Sequence, residues 1–257
     1  MARLSRPLAL ACALLPPLAL LGEPARAQDL TELSLEELLD VEVTSVGKKA
    51  QSLADAAAAV FVIGNEDIRR SGATSVPEAL RMAPGIQVKR LDANKWAISA
   101  RGFNGRFANK LLVLIDGRTV YTPSFSGVYW EHQDVMLADI DRIEVIRGPG
   151  ATLWGANAVN GVINIITKSA ADTRGGLAIA GGGTEERAFG ALRYGFEPAA
   201  DTFARAYVKY NERDSLQTIF GEDGGDEWDI GQGGFRLDST LRSGDRLTFQ
   251  GDFYRSN

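Results

Sequence analysis

The sequence predicts an α+β domain, a small mixed β-sheet with short helices, followed by a run of antiparallel strands. Three observations carry this. Between about residues 29 and 170, short β-branched runs alternate with capped helix signals. After about Asp172 the helix signals vanish, and apolar and polar residues alternate strictly. Ahead of both stands an N-terminus that is basic, then apolar, in the pattern of an export signal.

That N-terminus reads MARLSRPLALACALLPPLALLGEPARAQ. Arg3 and Arg6 form the basic region, residues 8–21 the apolar one, and Ala25-Arg26-Ala27 an A-x-A cleavage site. Residues 1–27 are thus expected to be a signal peptide, with Gln28 opening the mature chain. Removing three Arg from 28 basic residues and one Glu from 33 acidic ones leaves 25 against 32, a net charge of −7. That balance argues against a nucleic-acid partner. The single cysteine, Cys12, falls in the leader, so disulfides, thiolate metal sites and cysteine catalysis are excluded. Outside the leader no run reaches the ~18 apolar residues of a transmembrane helix. Barrel strands need only about 10 alternating residues each and stay possible.

In chain order, Ser34 and Glu37 have the spacing of a capping box before a short amphipathic turn. Val41, Glu42, Val43, Thr44, Ser45 and Val46 follow as an extended segment with no partner in its own neighbourhood. AVFVI (59–63) is a strand. Asn65 can cap a short helix with Glu66 and Asp67 at its start and Arg69 and Arg70 at its end, the order the helix dipole favours. Ser75-Val76-Pro77-Glu78 opens a second helix, which Pro84-Gly85 ends. Residues 86–88 and 96–100 are short strands. KLLVLI (110–115) is a buried strand, Asp116-Gly117 a hairpin turn, and residues 119–121 return. Residues 122–134 form a loop bearing Phe125, Tyr129 and Trp130, which suit either ligand contact or anchoring of the loop.

Past residue 172, Ala204, Ala206, Val208 and Tyr210 share one strand face; Phe203, Arg205, Tyr207 and Lys209 share the other. Leu247, Phe249, Gly251 and Phe253 repeat the pattern against Arg246, Thr248, Gln250 and Asp252. Residues 184–186 and 243–244 are short turns, whereas 213–231 is a long, acidic, Gly-rich connection. A membrane barrel and a soluble sandwich both show this alternation, and it does not choose between them.

RIEVIRGPGATLWGANAVNGVINIITK (142–168) sets two apolar runs around a Gly-rich connector. Gly150 and Gly155 have the spacing of a phosphate loop, but Ala156-Asn157 stand where Lys and Ser/Thr belong. The dinucleotide pattern fails too, with Leu153 at the third Gly. His132, the only histidine, lacks the further ligands a zinc site needs, and no nucleophile elbow accompanies Ser124 or Ser126. The sequence asks for no cofactor and no metal, and carries no catalytic constellation.

RGFNGRFANKLLVLIDGR (101–118), together with RIEVIRGP, LWG and GVINIITK, closely resembles the plug domain of TonB-dependent outer-membrane receptors. PEALRMAPGIQV from Pro77 fits the same family. The resemblance is dense over residues 45–170 and one of texture beyond. It implies an α+β plug domain (49–170) followed by antiparallel transmembrane β-barrel strands (171–257, the first five or six), inside a barrel of about 22 strands. The barrel is incomplete over this length, so the chain is expected to be the front of a longer receptor or a truncated product.

The resemblance further implies an outer-membrane receptor importing a scarce, large nutrient such as a ferric siderophore or cobalamin. Its partners are that ligand, outer-membrane lipid and TonB, which grips a short segment near the N-terminus by strand addition. Residues 28–48 hold the candidate TonB box, Val41 to Val46. Arg101 and Arg147, each before a Gly, are expected to meet carboxylates on the barrel wall. Ligand contacts are expected from Asp92, Asn94, Lys95, Tyr121, Phe125, Tyr129 and Trp130. The competing reading is a stand-alone periplasmic plug-type binder without transport activity.

Overall fold

The computed structural model describes Glu42–Val43, Gln51–Ser52, residues 59–148 and residues 154–257. The expected leader, the capping box at Ser34 and Glu37, residues 41 and 44–46, and residues 149–153 lie outside the described residues.

Strands β1 (Glu42–Val43) and β2 (Gln51–Ser52) form a two-residue antiparallel ladder. The segment therefore does have a partner nearby, contrary to expectation: Val43, fully buried, pairs with Gln51.

β3 (Ala59–Gly64) runs into the helix Asn65–Ser71, and a second helix, Val76–Ala79, continues as a 3-10 turn over Leu80–Met82. The acidic and basic residues of the first helix sit as the dipole predicts. The Arg69 and Arg70 guanidiniums hold the Glu66 carboxyl down to about 2. The cap differs from expectation. Gly64 is the N-cap, its N–H donating to Asp67 at 2.8 Å, while the Asn65 amide donates to the Ile140 carbonyl at 2.6 Å. An acceptor from a distant strand has displaced the local cap. At the second helix, Ser75 makes no capping bond; Glu78 instead accepts from Thr74 N and Oγ1 at 2.9 and 3.0 Å.

β4 (Ile86–Arg90) and β5 (Trp96–Ala100) form a hairpin. β6 (Leu111–Ile115), β7 (Arg118–Thr119), β8 (Ile140–Arg147) and β9 (Gly161–Thr167) join β3 in a sheet ordered β3-β8-β9-β6-β7, with only β6 and β9 parallel. All of β6 is buried because both faces are covered. Leu111, Val113 and Ile115 enter the main core with Ile143 and Ile163; Leu112 and Leu114 pack with Ile146 and Val162 on the other side. Asp116 and Gly117, with φ of 48° and 78°, make the tight turn into β7.

Backbone geometry accounts for two of the described glycines of 142–168. Gly155, at φ +93°, serves a turn, and a Cβ on Gly161 would meet the Ile146 carbonyl oxygen at 2.5 Å. The close approach is therefore inside the domain's own sheet. Gly161→Ala is expected to cost about 1–3 kcal/mol of overpacking, read as a lowered thermal midpoint; an unchanged midpoint would show that β8 yields.

β10 (Gly175–Gly181), β11 (Glu186–Ala199), β12 (Thr202–Arg213), β13 (Trp228–Thr240) and β14 (Arg246–Ser256) form an antiparallel sheet in chain order. The acidic connection is shorter than expected, residues 214–227, because β13 already begins at Trp228. The alternation acquires a direction here. Leu192, Val208 and Phe249 are 59, 55 and 62% exposed, whereas Arg205, on the opposite face, is 6% exposed. A soluble sandwich buries its apolar face; this sheet packs its polar face against the mixed domain and turns its apolar face outward. The sheet is open, not a closed barrel. Among the described residues no helix is long and apolar enough to cross a membrane, which says nothing of crossing by strands.

Candidate functional site

The boundary between the mixed domain and the strand wall is where the polar groups gather. Period-2 placement points Arg205, Lys209 and Arg213 of β12 the same way, and the register sets Arg236 of β13 opposite Arg205. Arg193 of β11 joins them from the other side.

The domain answers with carboxylates and carbonyls. Asp139, almost wholly buried, is paired with Arg193 and lies 3.5 Å from Arg205 Nε. Arg205 also donates to the Lys168 carbonyl at 2.7 Å and to Thr167 Oγ1 at 3.2 Å. Thr167 Oγ1 accepts from Arg236 at 2.8 Å while itself donating to Asp116 at 2.8 Å. Arg236 Nη1 stands 3.6 Å from Asp116. Nearer the other end of β12, Lys209 Nζ meets Asp134 at 2.6 Å. Burial pushes the Lys168 ammonium down, against the upward pull of Asp139 and Asp141; its Nζ donates to Asn65 Oδ1 at 2.9 Å.

In these pairs the cations belong to the wall and the carboxylates to the domain, the reverse of the sense expected for Arg101 and Arg147; Arg90 of β4 with Glu185 of the β10–β11 turn keeps the expected sense. Neither Arg101 nor Arg147 forms an ion pair among the described residues. Arg147 packs on Gly85, whose added Cβ would lie 3.3 Å from its Cδ, and Arg101 lies over Gly148. The sequence reading missed Asp116, Asp134, Asp139 and Thr167. The one available signal was the row of cations on the polar face of β12, which required partners from somewhere.

The β4–β5 loop, the first candidate ligand loop, sits by the 214–227 connection. The β4–β5 tip is tied to it by Ala93 N donating to Asp226 at 2.6 Å and by Arg213 donating to the Ala93 carbonyl at 3.3 Å. Asp92 accepts from the amides of Lys95 and Asn94 at 2.7 and 3.1 Å and pairs with Lys95 Nζ at 2.6 Å. Burial would raise the Asp92 carboxyl, but the Lys95 ammonium and the two amides hold it below its ordinary value. Phe125 packs edge-on against Tyr129 at 5.1 Å, and His132 stacks on Tyr254 of the wall at 4.8 Å. Tyr121 is exposed. Trp130 lies in the main core and anchors its loop, the second of the two roles its position allows. Asn94 and Trp130 line one small crevice, which brings the two loops together.

Residues 52–162 match the TonB-dependent Receptor Plug Domain family. The vitamin B12 transporter BtuB of Vibrio vulnificus (strain CMCP6) is 34% identical over 148 residues, 57% of this chain and 23% of that protein. The iron-regulated outer membrane virulence protein of Vibrio cholerae serotype O1 is 36% identical over 149 residues, 56% of this chain and 22% of that protein. The chain thus spans less than a quarter of the length of these relatives. The pyoverdine outer membrane receptor FpvA from Pseudomonas aeruginosa PAO1 shares the fold, with a TM-score of 0.67 and 20% identity over 84% of this chain and 30% of that one. The matched proteins are transporters and receptors, not enzymes. The chain carries a TonB-dependent receptor plug domain followed by antiparallel wall strands, and over that part it is homologous to the N-terminal portion of the vitamin B12 transporter BtuB.

Proposed function

We propose that the protein acts in active import across the outer membrane, taking up a ferric siderophore or cobalamin-like nutrient, with the plug gating a β-barrel. The observation that carries this reading is the direction of the wall. Apolar side chains face outward, as lipid requires, and cations face a plug seated on the polar side. In this reading residues 1–27 direct export and are removed, and the apolar face meets outer-membrane lipid. Long loops mark the outer side of such barrels, which puts the 214–227 connection and the plug loops beside it toward the ligand. Asp92, Asn94, Lys95, Tyr121, Phe125 and Tyr129 contact it, with Trp130 holding the loop from below. Arg101 and Arg147 face parts of the barrel wall other than these five strands.

Energy reaches the receptor through TonB, which adds a strand to residues 41–46. The two-residue ladder of β1 and β2 supports this, because so short a pairing is readily exchanged for a longer one. The test is fractionation with uptake. In cells lacking the gene, uptake of labelled cobalamin or of a ferric siderophore falls and is restored by the gene, and the protein sediments with outer membranes. A soluble periplasmic protein with both uptakes unchanged would instead mark a stand-alone ligand binder.

A further inference from the structure

Three guanidiniums lie side by side across the wall: Arg193 on β11, Arg205 on β12 and Arg236 on β13. Arg205 and Arg236 are cross-strand partners, and Arg193 and Arg205 share Asp139. Like charges directly opposite each other destabilise a sheet. Their shared neutralisation comes from the plug, through Asp139 and through Asp116 with Thr167. Within the wall only Asp238 offsets them, bonded to Arg236 Nε at 2.8 Å.

A cavity of about 310 Å³ adjoins this row, lined by Asp116, Thr167, Arg205 and Arg236. Gln232 Oε1 also borders it, buried and without a hydrogen-bond partner. Its remaining carboxylates are engaged: Asp134 by Lys209 at 2.6 Å and Asp252 by the Tyr207 hydroxyl at 2.6 Å. Take away the plug's Asp116 and Asp139, and three buried guanidiniums keep Asp238 as their one carboxylate, a net positive charge beside open space.

We propose that Arg193, Arg205 and Arg236 form an oxyanion-binding belt on the wall. In the resting protein the plug's own Asp116 and Asp139 occupy it; a carboxylate- or phosphate-bearing ligand takes their place when the plug moves. The plug carboxylates define the ligand class, since guanidinium forks match such planar or tetrahedral oxyanions. When the belt opens depends on the proposed gating role; that it binds oxyanions does not.

The test uses the full chain and inorganic sulfate, compared with chloride at equal ionic strength. In the Asp116→Asn/Asp139→Asn variant, millimolar sulfate raises the thermal midpoint several degrees beyond its effect on the unaltered protein, because a ligand held only by the folded state stabilises it. Adding Arg205→Gln and Arg236→Gln abolishes the gain. An equal sulfate response in variant and unaltered protein, or a gain that survives loss of both arginines, overturns the proposal. Should the double variant fail to accumulate, Asp116→Asn alone carries the same comparison with the same two outcomes. Uptake is not read, so failure of the transport reading and failure of the belt are told apart.

Discussion

Val43→Pro is expected to abolish the proposed nutrient uptake while ligand binding at the cell surface stays intact. In the proposed mode, strand addition by TonB would draw its affinity from main-chain hydrogen bonds along residues 41–46. Proline removes one donor in the middle of that run and locks its own φ, so the incoming strand loses a bond and its geometry. Val43 is also the position where β1 pairs with Gln51, so local pairing suffers as well. Retained ligand binding separates a lost energy coupling from a lost fold. Val43→Ile, which keeps the donor and the β-branched shape, transports normally. Full uptake in the proline variant would remove residues 41–46 as the gripping segment.

Asp139→Asn is expected to cost about 3–5 kcal/mol, the range for removing one partner of a buried charge pair. The change is nearly isosteric, so no cavity contributes. It leaves Arg193 and Arg205 facing the plug with no carboxylate between them; Arg205 is 6% exposed and has little access to water. Asp141→Asn is the matched control. Asp141 pairs with Arg142 at 2.6 Å from an exposed position, and surface pairs contribute about 1 kcal/mol or less. Urea unfolding followed by tryptophan fluorescence reads both. Equal midpoints for the two variants would mean that the Asp139 cluster does not hold the plug to the wall.

Much of the architecture was legible because it rests on local chemistry. Asp116-Gly117 could be read as a turn because Asp and Gly tolerate positive φ, and both adopt it. LLVLI and GVINIIT read as buried strands because a run apolar on both faces demands cover on both, and the parallel β6–β9 pair supplies it. The helix Asn65–Ser71 followed from its charge order, but its cap did not. Asn65 prefers the Ile140 carbonyl, 75 residues away, to its own amides, and no local pattern encodes that choice. The N-terminal segment was misjudged for a related reason: two backbone pairs with Gln51 and Ser52 involve residue types with no strand signature.

The sequence by itself determined the order of the elements, the period of each and the plug motifs, because propensity, turn chemistry and alternation act over a few residues. Tertiary structure alone decided which way the alternating strands face and which charges meet. Period 2 is the same whether the apolar face meets lipid or a core; only the plug seated on the polar face breaks that tie. The pairings of Asp139 with Arg193 and of Asp134 with Lys209 span long stretches of chain. A charge placed in low dielectric needs a partner, but nothing near it in sequence says from which strand the partner comes.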